Sequence, residues 1–165
     1  MDTRKLTRLS MLLALSVVLS IIESLIPLNT AIPGLKLGLA NTVIVFAIAM
    51  YSLKEAFTIS ILRVFLVGLL RTGLFNAYFF FSLGGALLSI VAMYLAYKTN
   101  KFSLVGVSII GAISHNIGQI LVAILMLNTI NLAFYLPLLL IFSIPSGIIV
   151  GLTVKGVLNF YKHEQ

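Results

Sequence analysis

Residues Leu9–Ile22 read LSMLLALSVVLSII, directly after Arg4, Lys5 and Arg8. The run is continuous rather than alternating, so it is a helix candidate and not a barrel strand. Cations followed by an apolar run also fit a cleavable leader. Here Glu23-Ser24-Leu25-Ile26-Pro27 follows in place of a small-x-small cleavage site, and further apolar runs come after it. We therefore expect a retained first spanning helix.

Composition sets the solvent for the rest of the chain. The 165 residues are 61% hydrophobic and 9% charged, with a mean hydropathy of +1.17. A soluble domain carries roughly 25% charged residues, so this chain lacks a water-compatible surface and belongs in lipid. Cysteine is absent, which removes disulfides, thiolate catalysis, iron–sulfur clusters and Cys-based zinc sites. The net charge of +7 sits at the ends of the apolar runs, where it orients spans. Nucleic acid is not expected as a partner.

A spanning helix needs about 20 mostly apolar residues. Six runs qualify, at about 7–26, 35–51, 52–73, 76–97, 103–127 and 132–158. The joints between them carry turn signals: Pro27 with Pro33-Gly34, the polar break Lys98–Lys101, and Asn128–Asn131. Short spacers make consecutive helices antiparallel neighbours. The expectation is a single all-α, polytopic domain of six transmembrane helices. With the N-terminus inside, Arg4, Lys5, Arg8, Lys54, Lys98, Lys101, Lys155 and Lys162 fall on the inner side, against Lys36 and Arg71 on the outer side. That asymmetry gives an N-in, C-in cell-membrane protein.

Polar residues within spans are costly and mark sites or pathways. Arg63 lies nearest to mid-span, and Glu23 in the first span is a plausible partner for it. The pair is either a structural clamp between two helices or part of a ligand site. Lys36 and Arg71 stand at outer helix ends, and together with Arg63 they would suit an anionic ligand if they converge. Either residue taken alone could equally snorkel to headgroups. His115, Asn116 and Gln119, in ISHNIGQ, share adjacent helix faces. They read as a cavity wall or as inter-helix hydrogen bonding. Asn41, Asn76 and Tyr78 complete the candidates, with Asn76 also suited to cap the fourth helix; Gly38 and Ala40 are small, so a neighbouring backbone or a ligand could approach closely there. A metal site is not expected, since His163 lies in the tail and other ligands are few.

The stretches AIPGLKLGLAN (Ala31–Asn41), RTGLFN (Arg71–Asn76) and SHNIGQ (Ser114–Gln119) resemble the family described both as heptaprenyl diphosphate synthase component I and as Gx transporter. The likeness runs from about Leu9 to Leu158. In size and span count the chain is also similar to the substrate-binding S components of energy-coupling factor (ECF) vitamin transporters. That resemblance implies a six-helix bundle binding a small molecule on its outer side, with the loop after the first helix covering the ligand. It places ISHNIGQ in the pocket and implies docking on a membrane scaffold driven by two ATPases. Docking would use a small-xxx-small pattern on the first helix, for which Ser10 and Ala14 are the nearest equivalents, beside Ser16 and Ser20.

The synthase name can be weighed on its chemistry. A prenyl diphosphate synthase needs clustered carboxylates to hold Mg²⁺ against diphosphate. The acids here are Asp2, Glu23, Glu55 and Glu164, none adjacent. No P-loop, nucleophile elbow or HExxH motif is present. The reading is a non-enzymatic, cofactor-free binding subunit for a small, anionic or vitamin-like substrate. The alternative is an accessory membrane subunit of a polyprenyl diphosphate, quinone-related or electron-transfer system.

Overall fold

A computed structural model describes residues 3–25 and 38–163. Among them the chain is all-helical: α1 (Thr3–Leu25), α2 (Leu39–Met50), α3 (Leu53–Val67), α4 (Ala77–Lys98), α5 (Leu104–Leu127) and α6 (Leu136–His163). A π-helical turn, Gly68–Thr72, continues α3, and a 3₁₀ segment, Ile130–Tyr135, leads into α6. Local chemistry sets several boundaries. The Asn76 side chain accepts from Tyr78 N–H at the start of α4, and Ser103 accepts from Gly106 N–H at the start of α5. Asn128 ends α5 in the left-handed conformation at φ 49°, which Asn tolerates better than most residues.

All six apolar runs become helices, but not equivalent ones. Stretches Thr3–Leu25, Ala77–Lys98, Leu104–Leu127 and Ile130–Phe160 are long and apolar enough to cross a membrane. Helix α2 has 12 residues, about 18 Å at 1.5 Å per residue, against a hydrocarbon core of about 30 Å. Its brevity is matched by its position. Every other helix packs against α2, and Ile44, Val45 and Ala47 are almost wholly buried. The sequence LANTVIVFAIAM is apolar on every face, which suits a helix with no solvent side. The bundle's outward surface is apolar as well: Leu125 is 80% exposed and Phe134 83%. In water such a surface would be an aggregation site; in lipid it is the ordinary outer face. The chain is thus a membrane-embedded helical protein.

Helix contact in lipid depends on close packing more than on hydrophobicity. Small residues supply it here. A Cβ on Gly118 of α5 would stand 2.5 Å from the Gly84 carbonyl oxygen of α4. Farther along, Gly147-Ile-Ile-Val-Gly151 on α6 lies against α5, with Ile109 Cα and Val105 Cα at 2.6 and 2.5 Å from the respective Cβ positions. The last two helices are thus joined through a Gly-x-x-x-Gly pattern. Polar side chains add ties, as where Ser89 Oγ of α4 donates to the Gly111 carbonyl of α5 at 2.9 Å.

Helices α1 and α3 run parallel and are joined at both ends. Lys5 pairs with Glu55, which also accepts from Ser52. At the opposite end Arg71 Nη2 donates to the Ser24 carbonyl at 2.9 Å. Exposed ion pairs contribute about 1 kcal/mol at most, so these joints fix register more than they stabilise.

Gly151→Val forces backbone apart along α5–α6 and is expected to destabilise the bundle by about 1–3 kcal/mol. Gly156→Ala, whose Cβ meets nothing within 4 Å, should be neutral or mildly stabilising through helix propensity. Thermal unfolding of the two variants in one detergent compares them directly.

Candidate functional site

At the end of the bundle formed by the C-terminus of α1 and the N-terminus of α4 lies a cavity of about 490 Å³. This is within the range of small-molecule pockets, about 300–1,000 Å³. Each of the six helices contributes to its wall. Helix α1 supplies Ser20, Glu23 and Ser24; α2 supplies Ala40 and Asn41, with Gly38 preceding it. Helix α3 and its π turn supply Arg63, Gly68 and Arg71, and α4 supplies Tyr78, Phe79 and Ser82. Across from them stand His115 and Asn116 of α5 and Ser143 and Ser146 of α6.

The charged groups are held rather than loose. Arg63 is 6% exposed, and its Nη1 donates to Asn41 Oδ1 at 3.2 Å. The Glu23 carboxylate exerts a Coulombic pull on that guanidinium and accepts from the backbone N–H of Gly38. Gly38 has φ 72°, a left-handed conformation that glycine adopts without strain. A Cβ there would lie 3.3 Å from Ser146 Oγ of α6. The close approach anticipated around Gly38 and Ala40 is therefore made, at least in part, by α6.

The π turn shapes the same wall. A Cβ on Gly68 would fall 2.8 Å from Phe79 Cδ2, so the turn sits directly on the start of α4. Phe79 meets Phe65, Phe75 and Phe80 edge-on at centroid distances of 5.2, 5.9 and 5.4 Å. Tyr78 and Phe79 give one side of the cavity an aromatic lining, while α5 and α6 give the other hydroxyls, an amide and an imidazole.

Of the residues expected from sequence, Asn41, Arg63, Arg71, His115 and Asn116 share this one cavity, and Glu23 joins them. Lys36 lies outside the described residues. Two others stand elsewhere. Asn76 is exposed and serves as the N-cap of α4. Gln119 is 8% exposed, lies with His115 against Gly85 of α4, and is not part of the cavity wall. The spacing that put Gln119 on the face of His115 was correct, since both meet Gly85, and of the two His115 is the one that reaches the cavity. Asn116 lines the cavity and also ties helices, since its Nδ2 donates to Ser143 Oγ at 2.7 Å and to the Leu139 carbonyl at 3.3 Å. Tyr78, grouped with Asn41 and Asn76 from sequence, also lines the cavity, as does Ser20, which was read only in a docking pattern; Ser82, Ser143 and Ser146 were not singled out. Single hydroxyls in apolar helices are too common to signal a site. Ser10 and Ala14 lie on the exposed side of α1, whereas Ser16 is fully buried. Among the described residues no group of three His, Asp or Glu side chains is placed to hold a metal ion.

Replacing Asn116 with Ala removes two buried hydrogen bonds to α6, although the Leu139 carbonyl keeps the one from Ser143 Oγ. It should lower stability by about 1–3 kcal/mol, whereas Gln119→Met should cost less, since Gln119 Oε1 has no hydrogen-bond partner among the described residues. Denaturant or thermal unfolding of both variants checks the contrast.

A search of curated proteins and a search of solved structures return no match. The family described as heptaprenyl diphosphate synthase component I matches residues 12–157, nearly the whole bundle. The chain belongs to the heptaprenyl diphosphate synthase component I family.

Proposed function

We propose that this chain is the ligand-binding subunit of a membrane transport system. It takes a small, anionic or vitamin-like molecule from the outer side of the cell membrane, as S components of ECF transporters do. The observation that carries this reading is Arg63, a permanently ionised group buried in the wall of a cavity of about 490 Å³. A charge in that position is expensive, by at least about 2.5–3.5 kcal/mol on insertion scales, and a purely structural bundle has no need of an enclosed space beside it.

The orientation is supported by the distribution of cations. Arg4, Arg8, Lys54, Lys98, Lys101 and Lys155 are exposed near the helix ends remote from the cavity. Under the positive-inside rule that end is cytoplasmic, so both termini are inside and the cavity opens outward. The exposed Ser10 and Ala14 on α1 are the docking face for a scaffold with two ATPases, which in this reading supply the energy.

A second reading has one specific observation in its favour, the family's description as a component of heptaprenyl diphosphate synthase. In that case the chain is a membrane accessory subunit. It would not carry the chemistry, because Glu23 and Glu55 stand at opposite ends of the bundle, too far apart to share a Mg²⁺.

Affinity purification of the tagged chain from its own membranes, with mass spectrometry of retained proteins and small molecules, separates the two. Transport predicts a scaffold with paired ATPases, or a small polar molecule lost in Arg63→Ala. A prenyltransferase subunit without ATPase or ligand would sink it. The absence of native cysteine makes topology simple to test. A cysteine at Asn76 should label with an impermeant maleimide in intact cells, and one at Asn100 only after permeabilisation.

A further inference from the structure

The most informative group lies within the cavity and is the one whose sign is unexpected there. Glu23, 9% exposed, puts a carboxylate into the same cavity wall as Arg63 and Arg71, and it accepts from the Gly38 N–H just before α2. A pocket built only to attract an anion gains nothing from a fixed carboxylate in its wall, since like charge disfavours the ligand. The surroundings of Glu23 are nonetheless those that an anion prefers: a buried guanidinium that attracts it and a backbone N–H that it accepts from.

We propose that Glu23 is a resident stand-in for the ligand's anionic group. Its carboxylate occupies the ground beside Arg63, and a small carboxylate or phosphate compound binds by displacing it. This rests on the reading of the cavity as a small-anion site and adds how that site is kept satisfied and selective. Without the stand-in, Arg63 would be a buried charge attracting any anion that entered. With it, only a ligand making further contacts outcompetes an attached carboxylate. Such contacts are available on the wall from Arg71, His115 and the hydroxyls of α6. Displacement also frees the Gly38 N–H, so occupancy of the cavity is coupled to the contact between the end of α1 and the start of α2.

The test uses the full chain purified in detergent, with inorganic phosphate as the probe and chloride of equal ionic strength as the control. Apparent affinity is read from the dependence of the unfolding midpoint on phosphate concentration. Glu23→Gln removes the competing charge but keeps the shape, and the apparent phosphate affinity should rise about tenfold or more. Glu23→Ala serves as a second variant if the first does not elute as a monodisperse species. The gain should vanish when Arg63→Met is added, because the two groups act on one place. A gain that persists with Arg63→Met would be general electrostatics and would overturn the proposal. An unchanged affinity in Glu23→Gln would overturn it too. A weaker one would overturn it as well, since removing a competing carboxylate can only help phosphate bind. If wild type binds phosphate and Arg63→Met alone does not, the small-anion reading stands even where the stand-in fails. No response in wild type or in either Glu23 variant would count against both.

Discussion

The burial of one guanidinium organises this molecule. Arg63 cannot shed its charge, and lipid offers it nothing, so the surrounding helices must supply acceptors and room. They do so from different directions: Asn41 from α2 accepts from it, and Glu23 from α1 attracts it. The two residues lie on either side of the connection between α1 and α2, so satisfying Arg63 also ties the first three helices together. Breaking that arrangement from one side leaves a charge uncompensated, which costs more than the pair contributes when intact.

Helix α2 makes the arrangement possible. Its first turn joins the cavity wall through Ala40 and Asn41, with Gly38 just before it. Because it is apolar all round, its remaining length serves as the common core for the other five helices. The half of the bundle away from the cavity is accordingly dry and closely packed, with Ile44, Ile90, Val107 and Val154 almost wholly buried. The other half is polar and open. The glycine contacts of α4–α5 and α5–α6 bring backbones together so that His115 and Asn116 face inward with little freedom. Rigid helices, and not loops, therefore hold most of the described wall, which favours a defined ligand shape.

The helices were legible in the sequence because continuous apolar runs separated by Pro, Gly and Asn admit few other readings. Polar groups at membrane depth were legible for the same reason: in such a background Arg63, Glu23, His115 and Asn116 stand out. What sequence could not supply was the third dimension. Gln119 has the right helical phase to accompany His115 and meets the same glycine at position 85, yet of the two His115 is the one that reaches the cavity. Gly147 and Gly151 passed unremarked among many small residues, since only the position of α5 shows that they make a contact. The same holds for Ser143 and Ser146, whose hydroxyls matter because α6 brings them beside Asn116 and Gly38. Asn76 was read with two roles in view, and the capping role is the one its geometry displays.

The central claim is that Arg63 is buried beside a cavity in order to meet a ligand's anion. The most direct measurement is a high-resolution structure of the protein purified gently from its own membranes. The account expects small-molecule density within hydrogen-bond distance of Arg63, with the Glu23 side chain turned away from it. A cavity holding only water, with Glu23 and Arg63 joined as a closed ion pair in every copy, would contradict it and leave Arg63 as a structural clamp between helices.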